Sequence, residues 1–280
     1  MFQAWTGIRF SICLISAFIA FFLMVISPDA LADQNDLKIT YQNTVEQKLD
    51  PPAEEILRYR RLATEMLEQS GVELLTAQYA VIVDRSPQVQ ALFIFWFPLG
   101  EPAVLIGASP VSTGQLGRVD HFETPTGVFD HSLTNPDFRA EGTKNKLGFR
   151  GYGAKGLRVY DMGWQRAKRG WGVGGKSLMR LQMHSTDPVL AEPLLGSVQS
   201  EGCIRISASL NRLIDHFGVL DANYEAARAT GQHLWVLNPD QMPITGAGRY
   251  LIVVDSLQNS RPDWLTKPLA KSIEKKRLSK

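Results

Sequence analysis

Three short apolar runs follow one another between residues 79 and 107, and they constrain the fold more than any other feature. They cover residues 79–84, 91–97 and 103–107, are rich in Val, Ile and Phe, and are separated by turn-forming residues that include Pro87 and Pro98. Apolar segments of about four to eight residues with β-branched and aromatic side chains, bounded by turns, are typical of buried strands. The sequence therefore predicts a meander of β-strands.

The remainder of the chain favours the same fold class. Further strand-like segments lie at 126–129, 177–184, 234–237 and 250–254, whereas apolar residues at helical spacing occur only at 53–69, 209–217 and 222–229. Residues 33–52 are polar, lack a sustained apolar period and end in two prolines, so they are predicted to form a linker. We expect a mainly β protein, a mixed β-sheet or sandwich with a few peripheral helices.

The N-terminus is predicted to be a cleaved signal peptide, residues 1–32. An apolar run from residue 10 to 26 follows Arg9, and Ala30-Leu31-Ala32 supplies the small-x-small pattern that signal peptidase recognises. An uncleaved membrane anchor is the alternative, because the length of the run is close to the minimum that spans a bilayer. Both readings place the rest of the chain outside the cytoplasm, in the periplasm or cell envelope.

Export changes the meaning of the cysteine count. The chain has two cysteines, and Cys13 lies inside the predicted signal peptide, so Cys203 is the one thiol that remains. Structural cysteines of exported proteins normally occur in pairs. Cys203 is then an inert buried residue, the partner of an intermolecular disulfide, or a nucleophile, and composition alone leaves all three open.

The charge of the chain is small but unevenly distributed. The formal net charge of +2 is too small to indicate a nucleic-acid-binding protein, so we expect no nucleic-acid partner. From Arg261 to Lys280 there are seven Lys and Arg residues against Asp263 and Glu274, a local net charge of 7 − 2 = +5. Residues 256–280 are predicted to be a solvated basic tail, and contact of this tail with an anionic envelope surface is the alternative.

A glycine-rich stretch at residues 148–176 holds nine glycines and is predicted to be a lid or binding loop. Two phosphate-binding patterns occur in it, GxGxxG from Gly151 and the P-loop formula from Gly170 to Ser177. Both need a buried strand before the glycines and a helix after them. Residues 165–169 do not resemble such a strand, and the residues after Ser177 alternate like a strand. We expect no nucleotide or other cofactor, and no metal, since no His or Cys pair has ligand spacing.

The chemistry-bearing residues lie at 180–205. The strand-like segment ending at His184 places Arg180, Gln182 and His184 on one polar face. Fifteen residues then intervene before the sequence Ser200-Glu201-Gly202-Cys203-Ile204-Arg205. A thiol nucleophile needs a base or cation that favours the thiolate and amide donors for the oxyanion. We predict Cys203 as the nucleophile and His184 as its base, with Gly202 allowing a tight turn and Arg205 on the face of Cys203.

At these residues the sequence resembles the catalytic domain of the L,D-transpeptidase (YkuD-type) family. That signature is a His, a spacer of this size, and Ser/Thr-His-Gly-Cys followed by a hydrophobic residue and Asn or Arg. The resemblance extends to residues 111–114 (Val-Ser-Thr-Gly) and 124–129 (Thr-Pro-Thr-Gly-Val-Phe), and covers about residues 78–240. It divides the mature chain into a linker and amphipathic helix at 33–77, a catalytic domain at 78–255 and the basic tail.

The resemblance implies a β-rich periplasmic enzyme whose partners are peptidoglycan stem peptides. Cys203 would attack the bond after the L-centre of the third stem residue, releasing the terminal D-alanine, and the amine of a second stem would resolve the acyl-enzyme. His184 would take the thiol proton and later serve the amine. The amides of Gly202 and Cys203 would face the oxyanion, and Ser200 and Arg205 would shape the site.

One position departs from the family pattern: Glu201 stands where the family usually has His. A carboxylate there tends to raise the thiol pKa unless it is paired, for example with Arg205. This departure leaves open a hydrolase, a carboxypeptidase or amidase that uses water, or a non-standard acceptor amine. A non-catalytic cell-wall-binding module is the alternative of a different class, although it has no need of an exported free thiol. Papain-type and NlpC-type peptidases are disfavoured because their Cys precedes the His.

Overall fold

The computed structural model describes residues 28–265, with residues 1 and 268, and side chains from residue 34 within α1. These residues form two β-sheets with few helices, which confirms the mainly β fold class. The helices are α1 (Pro28–Thr44), α2 (Ala53–Gln69), α3 (Ala208–His216) and α4 (Ala222–Ala229). The strands are β1 (Gln78–Asp84), β2 (Ala91–Phe97), β3 (Val104–Pro110), β4 (Gly127–Asp130), β5 (Phe138–Arg139), β6 (Arg158–Lys168), β7 (Lys176–Ser185), β8 (Ile204–Ile206) and β9 (Tyr250–Val254).

The first sheet has the strand order β3-β2-β1-β9-β4 and is covered on both faces. The predicted meander is β1, β2 and β3, joined antiparallel, while β9 pairs parallel to β1. Val81 and Val83 pack in a core shared with the second sheet, whereas Ala80 and Ile82 pack in a separate core with α2. Because alternate side chains point to opposite faces, two-sided burial explains why β1 and β2 are continuously apolar.

The second sheet has the order β5-β6-β7-β8 and carries the residues of interest. β6 and β7 form a long antiparallel hairpin, and β8 pairs parallel to β7 with Met183 opposite Ile204. Leu181, Met183 and Ile204 are fully buried against the first sheet. The residues that alternate with them, including His184, therefore occupy the opposite face of this sheet.

The predicted linker at residues 33–52 is wrong for its first half, because residues 28–44 form α1. Leu37, Tyr41 and Val45 lie one helical turn apart and are almost completely buried in the first core. The Tyr41 hydroxyl is 2.7 Å from Ser109 Oγ, and the Tyr41 ring occupies the space beside Gly107 that a larger side chain would fill. One apolar residue per turn is a narrow stripe, which the surrounding polar residues obscure in the sequence.

The glycine-rich stretch 148–176 contains a long strand at its centre, so the predicted single loop is wrong. Its centre is the 11-residue strand β6, and its glycines cluster in the segment before β6 and in the turn between β6 and β7, several at positive φ. A strand does precede Gly170, which the sequence did not indicate, but β7 follows it instead of a helix. The P-loop pattern is thus a hairpin turn. The predicted strand at 234–237 is also wrong, since these residues form turns.

The predicted basic tail begins later than residue 256. Trp264 packs against Tyr59 and Phe93, and Leu265 is 6% exposed, so residues 256–265 close over the core of α2 and the first sheet. These two apolar side chains precede most of the basic residues, which lie outside the described part of the chain. The signal peptide prediction also falls almost entirely outside it. No helix among the described residues is long and apolar enough to cross a bilayer.

Candidate active site

Cys203 lies directly before β8, beside the edge of β7 where β8 has not yet begun. Its thiol is free and partly exposed, and Sγ is 3.7 Å from the carbonyl oxygen of Arg180. The backbone of Gln182 also hydrogen-bonds the sulfur. The thiol thus lies at the edge of β7 with which β8 pairs, just before β8 begins.

His184 reaches the same face of the second sheet from β7. It pairs in register with Arg205 of β8, two residues after Cys203, so the three side chains alternate with the buried Met183 and Ile204. The imidazole Nδ1 lies 2.5 Å from the carbonyl oxygen of Ser185, to which it donates. With the Nδ1 proton held there, Nε2 is the nitrogen available as a base.

Burial keeps both groups uncharged at neutral pH. It raises the pKa of the Cys203 thiol to about 11, against the opposing effects of the Gln182 backbone and Arg205. Burial likewise lowers the pKa of His184 to about 4, with the hydrogen bond to Ser185 opposing the shift and Arg205 adding to it. The resting pair is therefore a neutral thiol with a neutral imidazole, and proton transfer has to accompany attack by the sulfur.

The turn before Cys203 requires glycine. Gly202 has φ +130°, and a Cβ at this position would lie 2.7 Å from Met179 Sδ and 3.1 Å from the Cβ of Phe122. The Ser200 hydroxyl accepts a hydrogen bond from the Gly202 amide at 3.1 Å and donates to the Cys203 carbonyl at 2.5 Å. The Ser200 side chain therefore closes the turn on itself, which fixes the direction of the thiol.

This arrangement corrects one expectation about the oxyanion donors. The Gly202 amide is engaged by Ser200 and does not face an incoming carbonyl. The Cys203 amide makes no hydrogen bond to any of the residues that the structure describes. A single backbone donor is thus left at the nucleophile, where two were expected.

The two upstream motifs converge on this turn. Thr124 Oγ1 donates to the Gly202 carbonyl at 2.7 Å and accepts from the Gly114 amide at 2.9 Å. Ser112 and Arg205 exchange backbone hydrogen bonds of 3.0 and 2.8 Å. The segments at 111–114 and 124–129, which the sequence singled out, brace the loop that carries Cys203.

Arg205 and Glu201 flank the thiol but do not pair with each other in the described structure. The Arg205 guanidinium donates through Nη1 to the Gln199 carbonyl at 3.2 Å and lies 5.5 Å from the Phe149 ring centre. Its Nε is buried without a partner among the described residues. Glu201 is exposed, and its charge adds to the burial that raises the Cys203 pKa. The expected direct ion pair between Glu201 and Arg205 is not formed among the described residues, although burial lowers the pKa of Arg205 and the charge of Glu201 opposes that shift.

Sequence reasoning missed the role of Tyr152 and Asp161. The Tyr152 ring meets the His184 ring edge-on at 4.7 Å, and its hydroxyl donates to Gln182 Oε1 at 2.9 Å. Gln182 Nε2 and Arg180 Nε each lie 2.7 Å from Asp161 Oδ2. Tyr152 was visible only as an aromatic residue in a glycine-rich segment. Asp161 gave no signal, because the strand that carries it was interpreted as a loop.

A cavity of about 500 Å³ opens on the other side of Tyr152. It is lined by Phe138, Arg139, Glu141, Gly142, Thr143, Gly151, Tyr152, Gly153 and Trp235. Tyr152 thus contacts both this cavity and the His184 ring. The site can therefore supply a nucleophile, a base with a fixed tautomer and one amide donor, beside a space for part of a substrate. Among the described residues no group of three His, Cys, Asp or Glu could hold a metal ion.

Comparison with known proteins gives little guidance. No family model and no curated protein matches the chain. One similar solved structure is a fused Zn-dependent amidase/peptidase/peptidoglycan-binding domain-containing protein from Clostridium acetobutylicum, with 14% sequence identity and a TM-score of 0.28. The match covers 74% of this chain and spans 64% of that one. A TM-score this low establishes neither a shared fold nor a shared function, so the function rests on the site.

Proposed function

We propose that the chain is an exported, cysteine-dependent peptidoglycan L,D-transpeptidase that acts in the periplasm on stem tetrapeptides. The observation that carries this proposal is the placement of Cys203 and His184 on one face of two adjacent parallel strands, with the His184 tautomer fixed by Ser185. The motif resemblance supplies the substrate class, and the convergence of 111–114 and 124–129 on the Cys203 turn agrees with it.

In the proposed acylation, His184 acts as a general base. Nε2 takes the thiol proton while Sγ attacks the carbonyl carbon that follows the L-centre of the third stem residue. The Cys203 amide donates to the developing oxyanion. Collapse of the tetrahedral intermediate breaks the peptide bond, and the terminal D-alanine leaves with the proton returned by His184. The product is a thioester between Cys203 and the shortened stem.

In the proposed deacylation, an amine of a second stem attacks the thioester carbonyl. His184 Nε2 accepts the amine proton, the C–S bond breaks, and the proton passes to the leaving sulfur. The Tyr152 ring covers one side of the imidazole, which limits the access of water to the thioester. An amine of a second stem that is bound at the site then has the advantage over water from the solvent.

Hydrolysis of the same acyl-enzyme is the second candidate. The exposed Glu201 stands beside the nucleophile loop without a partner from Arg205, and a carboxylate at this place can orient a water molecule. On that account the protein is an L,D-carboxypeptidase or amidase. A non-catalytic wall-binding module is the third reading, and it leaves the free thiol and its fixed base without a purpose.

Incubation of the protein with purified disaccharide tetrapeptides and mass analysis of the products tests the proposal. Dimers joined between third residues, with release of D-alanine, are expected; shortened monomers alone would identify the hydrolase. Unchanged substrate and no acyl adduct on Cys203 would contradict both enzymatic readings. Glu201→His, with Glu101→His in the exposed turn between β2 and β3 as a matched control, tests acceptor choice: a shift toward dimers in the first variant only would tie water use to Glu201.

A further inference from the structure

The outer face of the second sheet continues beyond the thiol site along the β6–β7 hairpin. Three cross-strand pairs form this open part, which we term the hairpin face: Trp164 with Arg180, Arg166 with Leu178, and Lys168 with Lys176. Five of these side chains are exposed and Arg180 is partly so, whereas the intervening Ala167 and Met179 are buried. The hairpin therefore turns one face to the core and this one outward.

The hairpin face is basic and partly apolar. Four of its six residues are Arg or Lys, and none is acidic. Trp164 and Leu178 are 61% and 60% exposed, and the Arg180 guanidinium lies 5.9 Å from the Trp164 ring centre. Both apolar side chains leave most of their surface exposed in the monomer, among cations. They are typical of a surface that contacts a polyanion with apolar rings or chains.

The hairpin face leads directly to the nucleophile. Lys176, Leu178 and Arg180 point to the same side of β7 as Gln182 and His184, and the Arg180 carbonyl oxygen is 3.7 Å from Cys203 Sγ. Gln182 lies six positions after Lys176, which is about 20 Å along the strand. Residues from Phe149 to Tyr152 cover the His184 end, while the hairpin end stays open. An extended molecule lying on this face therefore reaches the thiol.

We propose that the hairpin face docks the polymeric form of the substrate, a glycan strand bearing several carboxylate-containing stem peptides, and delivers one stem to Cys203. This inference rests on the proposed function for the identity of the polymer. Arg166, Lys168 and Lys176 match the repeated carboxylates, whereas Arg180 is already paired with Asp161. Trp164 and Leu178 offer apolar surface to sugar rings. Continuity with the thiol favours this polymer over an anionic lipid surface, which would contact the face without placing a reacting bond at Cys203.

The test compares two full-length variants that lose the same charge. Arg166→Gln/Lys168→Gln/Lys176→Gln neutralises the hairpin face, and Lys38→Gln/Lys48→Gln/Arg61→Gln neutralises three exposed residues of the helical side. Both are made with Cys203→Ala and co-sedimented with purified sacculi at low and high salt. We expect the first variant to lose about tenfold in affinity at low salt, an effect that salt suppresses, while the second binds like the parent.

The remaining outcomes separate the surface from the catalytic proposal. With Cys203 intact, turnover of a single soluble disaccharide tetrapeptide is expected to be equal in both variants. Equal sacculus binding by both variants would overturn the docking proposal while leaving the transpeptidase proposal intact. If sacculus binding depends on the hairpin face but the protein never forms an acyl-enzyme, the transpeptidase proposal is overturned while the docking surface stands. If the hairpin variant loses affinity for phosphatidylglycerol vesicles but not for sacculi, the partner is lipid and the proposal is wrong.

Discussion

Two buried polar clusters of this protein differ in the charge state that their ionisable groups adopt on burial. Around Arg158, which is fully buried, Asp137 and Asp221 each accept a 2.7 Å hydrogen bond from the guanidinium, and Asp137 also contacts His131 at 2.9 Å. Around Cys203, burial instead pushes the pKa values of the thiol and of His184 toward their neutral forms. The first cluster keeps its charges by pairing them, and the second avoids charge.

The difference shows which cluster is available for chemistry. The Arg158 cluster joins the starts of β5 and β6 to α3 and α4, and its main ionic groups already have partners. Cys203 is partly exposed and His184 is buried beside it, and both have fewer protein partners than the groups around Arg158. A group whose interactions are complete stabilises the fold, whereas a poorly partnered group can exchange protons with a substrate.

Removing the Cys203 sulfur should produce the largest effect of these changes. It should nearly abolish acyl transfer with little change in the free energy of unfolding. Cys203→Ala is expected to reduce acyl transfer by roughly 10⁴-fold or more, because no other group provides the nucleophile. Urea unfolding should change by less than about 1 kcal/mol, since Cys203 is outside the core clusters. A variant that keeps forming dimers from disaccharide tetrapeptides would contradict the assignment of the nucleophile.

The neutral state of the thiol can be measured directly by alkylation with iodoacetamide. Because burial raises the Cys203 pKa to about 11, the thiolate fraction is small at neutral pH. Alkylation, read at Cys203 by peptide mass analysis, should rise about tenfold per pH unit until pH approaches that value. The urea-unfolded chain is the control, with a midpoint near the ordinary thiol value. A rate that is already maximal at pH 7 would show an ion pair with His184 instead.

Breaking the Arg158 cluster should lower the free energy of unfolding. Arg158→Met leaves Asp137 and Asp221 buried without their main partner, and the free energy of unfolding should fall by about 3–5 kcal/mol. Arg249→Met is the matched control, because its ion pair with Asp130 is 39% exposed on both sides and such pairs contribute about 1 kcal/mol or less. Similar losses in the two variants by urea denaturation would remove the contrast between paired and exposed charges.

The smallest effect is expected at the boundary of the thiol site. Tyr152→Phe keeps the ring beside His184 and removes the hydroxyl that bonds Gln182. The loss of one hydrogen bond predicts a decrease in acylation of about two- to tenfold. Tyr152→Ala also uncovers the imidazole, so the ratio of hydrolysed to transferred product should rise only in this second variant. Equal ratios in both variants would count against a water-excluding role of the ring.

The sequence predicted those parts of the fold in which one local signal dominates. The strands β1, β2, β7 and β9 and the helices α2 and α4 are where their periodicity placed them. The strand β6 was missed because Gly163 and clustered basic residues mask an alternation that becomes clear only when β7 lies beside it. The helix α1 was missed for a related reason, since its narrow apolar stripe has meaning only against β3.

The sequence singled out two residues of the candidate site but not their surroundings. Cys203 and His184 carry signals of their own, an unpaired thiol in a chain predicted to be exported and an imidazole at the end of a strand. Tyr152 and Asp161 come from other segments, and their proximity to His184 and Gln182 depends on how β5, β6 and the preceding turn pack. The state of the Gly202 amide could not be read from the sequence either, because it depends on the rotamer of Ser200.

The register of β8 against β7 determines whether the Cys203 thiol faces outward or into the core. A slip by one residue would turn Ile204 to the outside and the thiol into the core, and no graded intermediate exists between these arrangements. The Ser112–Arg205 backbone bridge holds that register from the other side of β8. Residues 186–199 contribute to the same support, because the amides of Gly196 and Gln199 donate hydrogen bonds to the carbonyl oxygens of Val111 and Thr113. A change at residue 112 that prevents this backbone pairing would remove the reactivity of the Cys203 thiol without altering Cys203 itself.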